Sequence, residues 1–98
     1  MVEGKWEDTT LIIHLPERID ASCAGEVEEQ IDEICAKGTI EKLILDADKL
    51  AYTSSAGLRI ILKLVKREKN VSVINVAPEV FEIFKVSGFT NFISIEKK

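Results

Sequence analysis

The hydrophobic period changes within residues 43–67, and this change constrains the fold more than any other feature of the sequence. The uninterrupted apolar run Leu43-Ile44-Leu45 is typical of a strand that is buried on both faces of a sheet. Further along, apolar residues recur with the spacing of one helix face, at Leu58, Ile61, Leu62 and Val65. We therefore predict a strand that ends at Asp46, a loop, and a helix that begins at a pair of serines.

The serine pair, Ser54-Ser55, is a candidate functional site because it lies at this helix start. The first N–H groups of a helix have no intrahelical partners, and the aligned peptide dipoles make that end electropositive. A serine there can cap the helix through its side-chain oxygen. The same place also stabilises a phosphate, either bound or covalently attached. The residues alone leave both roles open.

Strands and helices alternate around this central unit. The predicted elements are a hairpin of strands 4–8 and 10–15, a helix capped by Asp20 or Ser22 and stopped by Gly38, a strand at 71–76, a helix from Pro78 to Gly88, and a last strand at 92–95. The order β-β-α-β-α-β-α-β contains three crossovers between parallel strands. We predict one α/β domain over residues 1–98, with a mixed sheet of about five strands and three main helices packed against it. Residues 95–98 are expected to fray.

Composition and charge indicate a cytoplasmic protein of one domain. The 98 residues, 46% of them hydrophobic, suffice for one core. The net charge of −4 argues against a general nucleic-acid binder. No apolar run approaches the roughly 20 residues of a membrane span, and the N-terminus lacks the pattern of a signal peptide. We expect contact with neither nucleic acid nor membrane, and we expect the acidic face of the first helix and the basic flank of the second to be solvated.

The cysteines and the histidine argue against a disulfide, a metal site and catalysis. Within one predicted helix Cys23 and Cys35 would lie about 18 Å apart, so we expect two buried, reduced thiols. With His14 as the only histidine, no metal site is predicted, and no cofactor motif is present. A catalytic Ser55 would need a base, but His14 lies on an early strand and no Gly-x-Ser-x-Gly motif occurs. We predict that the protein is not an enzyme and needs no cofactor.

Over nearly its whole length the chain resembles the STAS domain of bacterial anti-sigma factor antagonists, also called anti-anti-sigma factors. The resemblance is carried by the central segment LILDADKLAYTSSAGLRIILKL and, more weakly, by VSVINVAPEVFEIFKVSGFTNFISI. It implies that the unphosphorylated protein binds an anti-sigma factor serine/threonine kinase and thereby releases a sigma factor. It also implies that the kinase phosphorylates one serine and so ends the binding, and that a separate serine phosphatase removes the phosphate.

Alignment on Gly57-Leu58 implies Ser55 as the phosphate acceptor, with Ser54 as the alternative. Many relatives have Asp at position 54. The implied partner-binding residues are Asp46, Thr53, Ser54, Ser55, Ala56, Gly57, Leu58 and Arg59. Asp46 matches an acid that lies near the acceptor in the family, and its alternative role is a carboxylate that stabilises the loop. The alternative function is a non-switching STAS subunit of a stress-signalling or lipid-transport assembly.

Overall fold

The structure is a computed structural model that describes residues 2–98. Its strands are β1 (Glu3–Glu7), β2 (Thr10–His14), β3 (Arg18–Ile19), β4 (Lys42–Asp46), β5 (Tyr52–Thr53), β6 (Val71–Val76) and β7 (Ser94–Lys97), and its helices are α1 (Ala24–Cys35), α2 (Ser55–Arg67), α3 (Pro78–Val86) and a short 3-10 helix (Phe89–Asn91). Without the two-residue strands β3 and β5 and the 3-10 helix, this is the predicted order β-β-α-β-α-β-α-β.

Five strands form the main sheet, in the order β1-β2-β4-β6-β7. The β1–β2 hairpin is antiparallel, and its turn contains Asp8 with a φ of 58°. The other three pairs, β2–β4, β4–β6 and β6–β7, are parallel, as three strand–helix–strand crossovers require. The predicted mixed sheet with three helices is confirmed. The central strand β4 ends between the carboxyl ends of β2 and β6.

The two faces of the central strand are buried to different degrees. Leu43 and Leu45 are fully buried, and they join the core with Leu11 and Ile13 of β2. Ile44 points to the opposite face and is only half-buried. The expectation that β4 is buried on both faces therefore holds for one face only, because less of the chain covers the other.

The buried face of α2 differs from the one that the spacing predicted. Its buried residues are Gly57, Ile60, Ile61 and Leu64. Leu58, Leu62 and Val65 are half-buried, so Ile61 alone belongs to both sets. The apolar residues of α2 cover two adjacent stripes, and periodicity alone does not decide which stripe packs most deeply. The stripe that contains Gly57 packs most deeply, because this glycine packs against the strand that precedes the helix.

The two predicted glycine stops have different roles. Gly88 follows α3 with a φ of 82°, the left-handed conformation expected at a helix end. Gly38 has no positive φ, and α1 already ends at the cap residue Ala36, so the predicted left-handed stop at Gly38 is wrong. A Cβ atom on Gly38 would lie 3.1 Å from the Trp6 ring, which indicates that the glycine permits close approach of the indole.

The expected caps of α1 lie before the helix. The cap position is Cys23, whose side chain accepts no hydrogen bond from the helix. The carboxylate of Asp20 instead accepts hydrogen bonds from the N–H and the hydroxyl of Ser22, and its backbone oxygen accepts from the N–H of Ala24 at 2.9 Å. Asp20 and Ser22 thus form the turn that leads into α1.

The C-terminal residues are paired, whereas the sequence suggested a frayed tail at 95–98. Ser94 to Lys97 form β7 beside β6, and the N–H of Lys98 donates to the carbonyl of Val76 at 3.0 Å. Backbone pairing along β6 outweighs the charge of the last residues. The sequence predicted this strand two residues too early.

Ion pairs join the charged faces of α1 and α2, which were expected to be solvated. Lys63 contacts Glu28 at 3.0 Å, and Arg67 contacts Asp32 at 2.9 Å. The opposite charges of the two faces meet because the helices pack side by side.

Both cysteines are free but only partly buried, so the expectation of two buried thiols is wrong. Cys23 precedes α1 and Cys35 is its last residue. Burial raises the pKa of the Cys35 thiol. Among residues 2–98, no helix combines the length and the apolar character needed to cross a bilayer.

Candidate functional site: the serine loop at the start of helix α2

A small second sheet holds the loop that carries the two serines. β3 and β5 pair in parallel, with Arg18 opposite Tyr52 and Ile19 opposite Thr53. The N–H of Ser54 continues this ladder and donates to the carbonyl of Ile19 at 2.9 Å. The segment before α1 therefore fixes the residues just before α2, although the two segments are more than thirty residues apart in sequence.

Thr53 and Gly57 form the interior of this loop. Thr53 is 3% exposed, and its hydroxyl donates to the carbonyl of Ser54 at 3.2 Å. Gly57 is buried, and a Cβ atom at this position would overlap the Thr53 hydroxyl. Both belong to the partner-binding set implied by the resemblance, but their burial gives them the role of shaping the loop from inside.

The two serines have different environments. Ser54 is the N-cap of α2, has an extended backbone, and accepts a hydrogen bond from the N–H of Ala56 at 3.2 Å. Ser55 is the first residue of the helix and is exposed. Within residues 2–98 the structure shows no hydrogen-bond partner for the Ser55 hydroxyl. One serine thus has the structural role, and the other presents its hydroxyl to solvent.

None of the residues that follow Ser55 within α2 is acidic. The first turn of α2 contains no acidic residue. Arg59 is exposed one turn after Ser55, while Ala56 and Leu58 are half-buried. A helix start without carboxylates suits a hydroxyl that gains a phosphate, because the dipole of the helix is left uncompensated.

Asp46 makes its hydrogen bonds away from the serine loop. Its Oδ1 accepts from the N–H of Asp48 at 3.0 Å and from Nδ2 of Asn75 at 3.1 Å. Its Oδ2 lies 3.4 Å from Nδ1 of His14. No hydrogen bond to Ser54 or Ser55 is present in the described chain. These contacts, at the carboxyl ends of β2, β4 and β6, are those of a carboxylate that stabilises a loop.

A cavity of about 500 Å³ lies beside Asp46. Its lining residues are Glu3, His14, Leu15, Asp46, Asp48, Lys49 and Asn75. None of the serine-loop residues 53–59 lines it. Within residues 2–98, no three His, Cys, Asp or Glu side chains are grouped so as to hold a metal ion.

Sequence reasoning missed the exposed side chains of the small sheet. The guanidinium of Arg18 lies 4.8 Å from the centre of the Tyr52 ring, and its Nε is 2.6 Å from Oδ2 of Asp20. The Asp20 carboxylate raises the pKa of Arg18. The hydrogen bond from the Ser22 hydroxyl, followed by that from Arg18, holds the pKa of Asp20 well below its ordinary value of 3.8. Strands of two residues have no readable period, so only the Asp20-x-Ser22 turn gave a signal.

Known proteins resemble this chain in sequence over most of its length. A family model described as the STAS domain matches residues 3–98. A protein of Bordetella bronchiseptica, provisionally named anti-sigma factor antagonist BtrV, is 30% identical over 92 residues, which cover 90% of this chain and 78% of that protein.

Solved structures share the fold at lower sequence identity. An anti-sigma factor antagonist from Mycobacterium paratuberculosis matches with a TM-score of 0.88 and 16% identity, over 100% of this chain and 86% of that one. SpoIIAA matches with a TM-score of 0.77 in its unphosphorylated form, at 17% identity over 97% of this chain and 87% of that one. SpoIIAA of Bacillus in its phosphorylated form matches with a TM-score of 0.68, at 16% identity over 97% of this chain and 90% of that one.

The chain belongs to the STAS domain family. Within this family, its named relative and the solved structures described above are anti-sigma factor antagonists, the group that its central segment resembles.

Proposed function

We propose that this protein is an anti-sigma factor antagonist whose binding is switched by phosphorylation of Ser55. One observation carries the assignment of the residue: Ser55 is exposed and without a hydrogen-bond partner in the described chain, at a helix start whose cap is supplied by Ser54. The named relative supports the function, and the phosphorylated SpoIIAA structure supports phosphorylation as a property of such proteins.

The proposed partner is an anti-sigma factor that is itself a serine/threonine kinase. In the transfer, the Ser55 oxygen forms a bond to the γ-phosphorus of ATP, the bond from that phosphorus to the bridging oxygen of ADP breaks, and the hydroxyl proton leaves to a base. Among residues 2–98 the structure shows no hydrogen bond from the Ser55 hydroxyl to a histidine or a carboxylate, and His14 contacts Asp46 instead. The kinase must therefore supply the base, and this chain supplies the acceptor. A serine phosphatase hydrolyses the phosphoserine and restores the first state.

The change in charge explains how binding is switched. The unphosphorylated surface around Ser55 offers a hydroxyl, an arginine and half-buried apolar side chains, and it binds the kinase in place of the sigma factor. Phosphorylation adds about −1.5 to −2 charges. The start of α2 tolerates this charge, so the fold is kept, whereas a close interface must desolvate it. A loss of about 3–4 kcal/mol weakens binding roughly 10²- to 10³-fold, which suffices for a switch. The proposal places both partners in the cytoplasm, where sigma factors act.

The assignment is tested by incubation of the purified protein with its kinase and ATP, followed by mass spectrometry of peptides. We expect phosphate on Ser55, none in Ser55→Ala, and retained phosphorylation in Ser54→Ala. Persistence of phosphorylation in Ser55→Ala would contradict the assignment.

A binding measurement tests the switch itself. Ser55→Asp should weaken binding of the kinase, and the uncharged control Ser55→Asn should bind more tightly than Ser55→Asp. Equal affinities of the two variants would show that charge at position 55 does not control binding. Binding of a transport or stress-signalling assembly instead of a kinase would favour the non-switching alternative.

A further inference from the structure

The cations of α2 fall into two groups. Lys63 is paired with Glu28, and Arg67 is paired with Asp32 and with Glu68. Arg59 and Lys66 are exposed, and for neither does the structure show an ion pair within residues 2–98. The nearby Arg18 is already engaged by Asp20 and by the ring of Tyr52. Arg59 is therefore the uncommitted cation closest along the helix to the start of α2.

Arg59 also has the correct spacing to reach a group attached to Ser55. The two residues are four positions apart in a continuous helix, so they lie on the same side of it, with Cβ atoms roughly 6 Å apart. An arginine can donate two parallel hydrogen bonds to a phosphate. No acidic residue in the first turn of α2 competes for the guanidinium.

We propose that Arg59 binds the phosphate on Ser55 within the same molecule, an inference that rests on Ser55 being the acceptor. Phosphorylation then has two effects on the surface that meets the kinase. It adds the phosphate, and it withdraws the exposed guanidinium of Arg59 from the partner. The partner groups that face Arg59 in the unphosphorylated complex are accordingly carboxylates or other hydrogen-bond acceptors.

The test measures the second ionisation of the phosphoserine by ³¹P NMR titration. Phosphoserine is introduced at position 55 during translation, so that the measurement does not depend on any kinase. A cation beside the phosphate stabilises the dianion and lowers the pKa of the phosphoserine below about 6. Replacement by Arg59→Gln should raise this pKa by about 0.3 units, and Arg59→Lys should recover most of the difference.

Lys66→Gln is the matched control. It removes the same charge from the same helix, and the residue lies on nearly the same side of α2 as Ser55, but about 16 Å farther along the axis. At physiological salt its charge is largely screened from the phosphate, so the pKa should shift by less than about 0.1 units. The contribution of the helix start is common to all variants and cancels.

Each outcome decides the question. An unchanged pKa in Arg59→Gln, or equal shifts in Arg59→Gln and Lys66→Gln, would overturn the contact. Failure of the kinase to phosphorylate Ser55 would instead refute the proposed function and leave the measured Arg59 contact intact. The two failures are therefore distinguishable.

Discussion

The hydroxyl of Thr53 occupies the space that a Cβ atom on Gly57 would need. Thr53 ends β5 and Gly57 lies in the first turn of α2, so this contact closes the loop that presents Ser55. A side chain of β3 completes the contact, because Cγ2 of Ile19 would lie 3.0 Å from the same Cβ. The missing side chain at Gly57 is what allows β3, β5 and α2 to meet.

Gly57→Ala is predicted to destabilise the protein. The added methyl group must displace either the Thr53 hydroxyl or Ile19, and overpacking of this kind costs about 1–3 kcal/mol. Urea unfolding would measure the loss. In a Thr53→Ala background the same change should cost less, because the overlapping hydroxyl is gone.

Gly25→Ala is the control for this prediction. Gly25 lies in α1, and a Cβ atom there has no neighbour within 4 Å. The change should be neutral or should stabilise the helix by up to about 1 kcal/mol. If Gly57→Ala proves no more costly than Gly25→Ala, the contact with Thr53 does not restrict the loop.

The two serines are predicted to differ in their effect on stability. Ser54→Ala removes the side-chain cap of α2 and should cost about 1 kcal/mol, or roughly 4–8 °C in melting temperature for a domain of this size. Ser55→Ala removes an exposed hydroxyl without a partner in the described chain, and its effect should stay within about 0.5 kcal/mol. Thermal unfolding followed by circular dichroism would compare them. A larger loss for Ser55→Ala would show that Ser55 is the structural residue.

The architecture could be predicted from the sequence because its main elements carry clear periods. The change from the run at 43–45 to helical spacing after Leu58 identifies the central strand and α2, and three crossovers then determine parallel pairing. The packed stripe of α2 could not be predicted, since it depends on the contact of Gly57 with another segment. Tertiary contacts decide such details.

The site was predicted in part. The residue pattern placed the serine pair at a helix start but did not separate the roles of Ser54 and Ser55, because either residue suits a cap. Only the family resemblance favoured Ser55 as the acceptor. The pairing of Arg18 with Tyr52 was missed, since strands of two residues leave no pattern. The contacts of the Asp46 carboxylate could not be predicted either. Asp46 accepts a hydrogen bond from Asn75 only because β4 and β6 are neighbours in the sheet.

Asp20 is predicted to make stability depend on acidic pH. Its pKa is lower in the folded protein than the ordinary 3.8, chiefly because of the hydrogen bond from the Ser22 hydroxyl. Such a carboxyl stabilises the folded state above its unfolded-state pKa, and the contribution is lost as the pH falls toward the folded-state pKa. Asp20→Asn should therefore lower the melting temperature at neutral pH and make its decline shallower below about pH 5.

Glu33→Gln is the control for the pH dependence. Glu33 is an exposed carboxylate of α1 for which the structure shows no ion pair within residues 2–98. Its melting temperature at each pH shows the effect of replacing a surface carboxylate by an amide. If the melting temperature of Asp20→Asn declines with pH in the same way as that of Glu33→Gln, Asp20 makes no contribution to acid sensitivity.

The ion pairs between α1 and α2 are predicted to give a small stabilisation that depends on salt. Arg67 lies 2.9 Å from Asp32 and 3.0 Å from Glu68, and its side chain is 45% exposed. At this exposure, Arg67→Gln should cost about 0.5–1 kcal/mol at low ionic strength. In about 1 M NaCl the Debye length falls to roughly 3 Å, so most of the stability cost of Arg67→Gln should disappear.

Lys66→Gln, which removes an exposed cation without an ion pair in the described chain, should change stability less at either salt concentration. A cost for Arg67→Gln that is independent of salt would assign the effect to packing of its aliphatic stem against α1 instead of to charge.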